Sequence, residues 1–185
     1  MPKPSDKKGK NWRLVVDYRY LNSQTKYYPF PLLIIEDLIA KQTINKLWSI
    51  FDLEDGFHQM HLHPDSYECT AFVTSKGVYH WTVLPMGVKN GPSMFQAMIT
   101  WVIRDLPNVI VYIDDLLIGS TTTDDNLDIM ENHYKDTNDT LERLQTHKLF
   151  VKGVKMHLFK PEIKFCGHLL KKTAHAMQHQ VNWMR

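Results

Sequence analysis

The chain has 185 residues and a mass of 21.8 kDa, with 43% hydrophobic and 23% charged residues. These values describe one globular domain that buries roughly 70% of its unfolded surface without disulfide staples, and they exclude a wholly disordered, collagenous or coiled-coil chain. Net charge is +2, but it is segregated: +5 over residues 1–31, −8 over 114–142 and +7 over 143–172. Basic flanks around an acidic stretch suit a grip on a polyanion with carboxylates kept for metal; they equally suit solvated faces of ordinary helices and loops.

No run of about 18 apolar residues exists, so no transmembrane helix and no membrane partner are expected. The N-terminus MPKPSDKKGK lacks the apolar core of a secretory signal. Two cysteines, Cys69 and Cys166, are too few for a disulfide framework and suit a reducing, intracellular compartment.

In chain order, residues 1–10 are rich in Lys and Pro and are expected to be mobile. Trp12 to Tyr18 reads as a strand, Pro29 and Pro31 mark an extended connection, and Ile34 to Ala40 reads as a short helix. Leu47 to Leu53 is an apolar run of strand length. Cys69–Thr74 and Val78–Leu84 flank Ser75-Lys76-Gly77, a hairpin signature. Gly91-Pro92-Ser93 opens a helix running to Arg104, with Pro92 suited to its first turn. Val109–Ile113 and Leu116–Gly119 form a tight hairpin around Asp114 and Asp115. Thr123 can cap a helix from about Asp124 to His147, with Asp124, Asp125 and Asp128 near its positive end. Short strands follow at Phe150–Lys152, near Lys155–Phe159, and at Ile163–Leu170. Mixed strands, helices and hairpins predict an α+β fold.

The sharpest feature is Tyr112-Ile113-Asp114-Asp115. Two adjacent aspartates after a strand such as VIVYI suit a turn tip, and they equally suit a divalent-metal site. Carboxylate oxygens are hard ligands, and two ions about 4 Å apart can serve an in-line phosphoryl displacement. Such a site needs a further carboxylate from another strand. Asp52, ending LWSIFD, is the candidate, with Glu54 and Asp55 nearby; on a strand, Asp52 and Glu54 share a face that Asp55 does not.

The chain resembles the fingers–palm region of reverse transcriptases, most closely those of gypsy-type LTR retrotransposons. The matching blocks are NWRLVVDYRYLN (11–22), YPFP (28–31), LWSIFDLEDGFHQMHLHPD (47–65), TAFVT (70–74), LPMGVKNGPSMFQ (84–96), VYIDDLLIGS (111–120), KLFVKGVKMHLF (148–159) and KFCGHLL (164–170). A lone YxDD is a weak motif; this ordered set is specific. The resemblance implies a right-hand polymerase with fingers and palm interleaved over residues 11–170 and an antiparallel palm sheet backed by helices. It implies RNA-directed synthesis of DNA, in which a primer 3′-hydroxyl attacks the α-phosphate of a deoxynucleoside triphosphate.

It also implies residue roles. Asp52, Asp114 and Asp115 fall on the catalytic aspartates, holding two Mg²⁺ ions (Mn²⁺ able to substitute) with the Leu53 carbonyl. Arg13, and Lys7 or Lys8, fall where the triphosphate is contacted; the planar fork of Arg13 suits phosphate. Glu54, Asp55 and Gly56 form a turn whose N–H groups are expected to face phosphate oxygens. Phe57 falls on the steric gate against a ribose 2′-OH, although on its own it reads first as a core aromatic. Met86 stands where relatives often carry Phe or Gln. Tyr112 and Ile113 fall at the primer end, and Phe165, Cys166, Gly167 and His168 at the hairpin that grips it. Lys155 aligns with a lysine placed to protonate pyrophosphate, or is simply exposed. Lys160, Lys164, Lys171 and Lys172 suit phosphate neutralisation.

The histidines, including His61/His63 and His175/His179, read mostly as surface residues, with too few companions for zinc. The family pattern fades after Leu170, and residues 171–185 form an atypical tail with no room for a thumb, connection or ribonuclease H domain. The expected partners are therefore an RNA or DNA template with its primer, deoxynucleoside triphosphates, and other polyprotein-derived domains. The expected setting is cytoplasmic, in virus-like particles, or nuclear. The alternative is a truncated or domesticated remnant that binds nucleic acid without catalysis.

Overall fold

The computed structural model describes residues 14–31, 34–121 and 128–171. Its strands are β1 Leu47–Asp52, β2 Phe72–Thr74, β3 Gly77–Tyr79, β4 Val109–Tyr112, β5 Asp115–Ser120, β6 His157–Lys160, β7 Glu162–Phe165 and β8 His168–Lys171. Its α-helices are α1 Arg19–Gln24, α2 Ile35–Ala40, α3 Gly91–Ile103 and α4 Ile129–Thr146. This is the α+β arrangement of the sequence reading, built on an antiparallel sheet in the order β4–β5–β1–β6, with β2–β3 and β7–β8 as separate hairpins.

The sheet is apolar on both faces because both are covered. Side chains alternate along a strand. Phe51 of β1, Val109 and Val111 of β4, and Leu116 and Ile118 of β5 pack with Phe95, Ile99 and Val102 of α3 and Leu144 of α4. Trp48 and Ile50 of β1 and Leu117 of β5 point the other way, onto Ile163, Phe165 and Leu170 of the β7–β8 hairpin. Phe51, Phe95, Ile99 and Leu116 are fully buried, each stabilising the fold by about 1.5–3 kcal/mol. Among the described residues, no helix is long and apolar enough to cross a membrane.

Several expected elements differ. Residues 14–18 form no strand; Leu14 and Val15 are 58% and 52% exposed, and the segment is anchored by the Tyr18 hydroxyl donating to Thr70 O at 3.0 Å. A strand needs a neighbour for its ladder, and none of the described strands lies beside this segment. Glu68–Thr70 is a 3₁₀ turn, so the β2–β3 hairpin is shorter than expected, with Thr74 opposite Gly77. The long helix begins at Ile129, where the Asp128 carboxylate accepts Met130 N–H at 2.8 Å. The expected cap Thr123, with Asp124 and Asp125, lies outside the described residues. Ile163–Leu170 is not one strand but the β7–β8 hairpin, because Cys166 (φ +47°) and Gly167 (φ +83°) make a two-residue loop with both φ values positive.

His133 corrects the reading of the histidines as surface residues: it is wholly buried. The Ser120 hydroxyl donates to Asp136 Oδ2 at 2.5 Å, so His133 Nδ1, 2.9 Å from Ser120 Oγ, must be the donor of that pair. Nε2 then accepts from the Ser49 hydroxyl at 2.7 Å, which fixes a neutral imidazole tying α4 to β1 and β5. Asn108 also donates to Asp136 Oδ2 (3.0 Å), and Phe159 N–H to Ser49 Oγ (3.1 Å).

Burial holds the His133 pKa below its ordinary value, with Asp136 partly offsetting. The unfolded chain therefore binds more protons below pH about 6.5, so this contribution to stability is complete above that pH and is lost as pH falls through it. The thermal midpoint, followed by circular dichroism from pH 7.5 to 5, is expected to fall. His133→Leu should flatten that part of the slope. It should also cost about 2 kcal/mol at neutral pH, because it leaves the buried Ser49 hydroxyl proton without its acceptor and takes a donor from Ser120 Oγ.

Candidate active site

Antiparallel pairing of β1 with β5 runs in register from Leu47 opposite Ser120 to Asp52 opposite Asp115. Tyr112 is also opposite Asp115, which leaves Ile113 and Asp114 as the two-residue loop of the β4–β5 hairpin. Leu53 N–H donates to Asp114 O at 2.9 Å, fastening the end of β1 to that loop. Asp52 is thereby gathered with the adjacent pair Asp114 and Asp115, distant from it in sequence, at one end of the sheet.

The loop is strained by its residue type. Ile113 has φ +57°, a region normally given to glycine and unfavourable for a β-branched side chain by about 1–3 kcal/mol. It is held there by Gln96, a fully buried residue of α3. Gln96 Oε1 accepts Ile113 N–H at 2.7 Å, and its Nε2 donates to Val111 O at 3.2 Å. Sequence reasoning missed Gln96. The available signal is a lone amide on the apolar core face of a helix, a position where a polar group needs specific partners.

The carboxylates differ in surroundings. Asp52 Oδ2 accepts from Lys155 Nζ at 2.6 Å. Burial, and then the Asp52 charge, push the Asp115 carboxyl above the usual carboxylate range, with Lys155 offsetting in part. Asp114 lies against Gly56: a Cβ on Gly56 would overlap Asp114 Oδ1 and stand 3.0 Å from its Cγ and 3.1 Å from Phe95 Cζ. Only glycine fits that approach.

Beside these groups is a cleft of about 320 Å³ lined by Asp52, Leu53, Asp55, Gly56, Phe57, Met86, Asp114, Lys152 and Lys155. Phe57 is half-buried: its ring packs on Phe95 (centroids 5.3 Å, 52°), and it also lines the cleft. Lys152 is a second missed residue; its N–H donates to Asp52 O at 2.8 Å, which brings it beside the aspartates. Lys155 was read as a proton donor or as an exposed lysine. Here its ammonium is spent on Asp52, although the side chain remains 55% exposed.

Two expectations need correction. Glu54 is exposed and outside the cleft, and its N–H is used by Phe150 O at 2.9 Å, so of the turn 54–56 only Asp55 and Gly56 line the pocket. Phe165 is 1% exposed in the apolar cluster under the sheet, so its side chain is a core anchor rather than a surface for a ligand. The tip it supports carries Cys166, half-buried, and Gly167 and His168, both exposed. Burial, and then the Asp115 charge, push the Cys166 thiol up to about 11. Tyr112 packs on the same cluster. Lys8 and Arg13 lie outside the described residues, as do Lys7, Lys172, His175, His179 and the segment 1–10.

The donor set suits a hard divalent cation: three carboxylates at one sheet end, one with its ionisation opposed by its neighbour's charge, and a lysine already drawn to them. Among the described residues, no three His, Cys, Asp or Glu side chains stand close enough together to enclose an ion as arranged here.

The chain matches the family model "Reverse transcriptase (RNA-dependent DNA polymerase)" over residues 2–170. Its relatives include Polyprotein P3 of Commelina yellow mottle virus, 34% identical over 177 residues, covering 95% of this chain and 9% of that one. Another is the retrovirus-related Pol polyprotein from transposon 412 of Drosophila melanogaster, 34% identical over 167 residues, covering 89% and 13%. Among solved structures, foamy viral protease–reverse transcriptase in complex with double-stranded DNA superposes with a TM-score of 0.81 at 27% identity, covering 93% of this chain and 28% of that one. The same enzyme with an RNA/DNA hybrid superposes with a TM-score of 0.80 at 26% identity, covering 94% and 22%. This chain thus spans about a tenth of these two polyproteins and about a quarter of the solved enzyme. It has the fold of reverse transcriptase fingers and palm, and with nearly its whole length matched it belongs to the reverse transcriptase family of LTR retrotransposons and retrovirus-like elements.

Proposed function

We propose that this chain is the catalytic fingers–palm module of an RNA-directed DNA polymerase, transferring a deoxynucleotide to a primer 3′-hydroxyl. The observation that carries the reading is the in-register pairing of Asp52 with Asp115, with Asp114 fastened to Leu53, beside a cleft of about 320 Å³ that Asp52 and Asp114 line. When bound, Mg²⁺ or Mn²⁺ held by Asp52 and Asp114, with Asp115 and the Leu53 carbonyl assisting, supplies Lewis acidity toward the hydroxyl and the phosphate.

The chain's own groups do the rest. Gly56 lets the backbone come close to Asp114, which leaves that carboxylate at the cleft wall. Lys152 and Lys155 bring positive charge to the side where a triphosphate would lie. The Phe57 ring, braced by Phe95 at the cleft wall, would crowd a ribose 2′-OH and so favour deoxynucleotides. Ile113 and the exposed Gly167 and His168 offer a surface for the primer end. Both comparison complexes hold a nucleic-acid duplex, which supports a template–primer as the partner.

Single-nucleotide extension of a labelled DNA primer on an RNA template tests the reading. Wild type with Mg²⁺ or Mn²⁺ should extend, and Asp114→Asn should lose at least roughly 10³-fold in rate. Absent extension with duplex binding intact would favour the remnant that binds without catalysis. Gly56→Ala should reduce extension by more than about tenfold, because its Cβ displaces the Asp114 carboxylate. In EDTA, Asp115→Asn should raise the thermal midpoint by a few degrees, roughly 1 kcal/mol, while lowering activity. The sign follows from the raised Asp115 pKa: its charge opposes folding above the ordinary carboxylate range, and asparagine removes it.

A further inference from the structure

Past Asp52 the backbone ladder of β1 continues beside residues 150–152. Lys152 N–H donates to Asp52 O at 2.8 Å, Leu53 bridges Val151, and Glu54 N–H donates to Phe150 O at 2.9 Å. At Asp55 the chain turns away with φ +47°, so no backbone is left to make the next rung. The Gln59 side chain makes it instead. Its Oε1 accepts Phe150 N–H at 2.7 Å, and its Nε2 donates to Phe150 O at 2.9 Å and to Glu54 O at 2.5 Å. One planar amide thus joins two segments 91 residues apart. It closes the turn that carries Asp55, Gly56 and Phe57, and it fixes the start of the segment that carries Lys152 and Lys155.

We propose that Gln59 is a positioning residue for the triphosphate end of the incoming nucleotide. It touches no substrate; it acts by holding together the Asp55–Gly56 turn and the Lys152–Lys155 segment, both of which line one cleft. The requirement is specific to an amide. Donor and acceptor must lie in one plane to satisfy the N–H and C=O of Phe150 together, which glutamate and methionine cannot do and asparagine is one methylene too short to do. Phe150 is itself 66% exposed, so the link works through hydrogen bonds and not through core packing. The inference rests on the polymerase reading above.

The test is steady-state single-nucleotide extension with Mg²⁺ and with Mn²⁺, comparing wild type, Gln59→Met, Gln59→Glu and, as a stability control, Leu144→Ala in the core behind the sheet. Gln59→Met should raise KM for the deoxynucleoside triphosphate about tenfold and change kcat less than about threefold. Gln59→Glu should raise KM similarly, which keeps the test decisive if the methionine variant fails to fold. Leu144→Ala should lower the thermal midpoint and leave KM alone. In the absence of nucleotide, amide exchange over residues 148–155 and 53–60 should quicken in Gln59→Met. An unchanged KM in folded Gln59 variants of an active enzyme overturns this inference alone, as does an equal rise in Leu144→Ala. A wild type that fails to extend under both metals overturns the polymerase reading, and this inference with it.

Discussion

The register of β1 against β5 is the constraint on which the site depends. A slip of one residue would turn Phe51 away from the α3–α4 core and, in the same movement, send Asp52 to the other side of the sheet. The packing that fixes the register is apolar, redundant and spread over both faces. The chemistry it positions is polar and confined to the strand ends. A palm of this kind obtains a precise carboxylate geometry from forces that have no polar specificity of their own.

The polar end of the sheet is then held in a state that local preferences oppose. Asp115 is half-buried next to the charge of Asp52, and Ile113 occupies a backbone region that suits glycine. Each costs on the order of 1 kcal/mol or more, and each is offset by a specific contact: Lys155 on Asp52, and the Gln96 amide on the Ile113 N–H. Charge crowded at one place and paired with a half-exposed lysine is poised to accept a cation or a polyanion. The surrounding scaffold is stabilised independently by the buried Ser49–His133–Ser120–Asp136 chain, which joins α4 to the two strands that end in aspartate.

Much of this was legible in the sequence, and the parts that were not share a cause. β1, α3 and the β4–β5 hairpin announce themselves by apolar runs of the right length and by turn chemistry, and they bring Asp52, Asp114 and Asp115 together as expected. Their roles as metal ligands rest on the experiments proposed above. The failures lie where tertiary contact overrides local pattern. Residues 14–18 have strand composition but no partner strand, and the Phe165 side chain points into the sheet because the hairpin loop sits one residue later. The buried face of α4 is His133, Thr137, Thr140 and Leu144, a helical stripe too polar to be recognised as core until its hydrogen bonds are seen. Gln59, Gln96 and Lys152 were missed for a related reason. Each acts through backbone groups distant in sequence, and nothing in the spacing of side chains records where those groups will be.

The central claim is that the three aspartates gathered by strand pairing take up a divalent cation. Titration of Mn²⁺ into the apo chain, read by electron paramagnetic resonance as loss of the free-ion signal, tests this without any need for turnover. The account predicts saturable Mn²⁺ binding that Asp52→Asn and Asp114→Asn each weaken by at least about tenfold, with the fold intact by circular dichroism. Binding that is absent in the wild type, or equal in all three proteins, would contradict it.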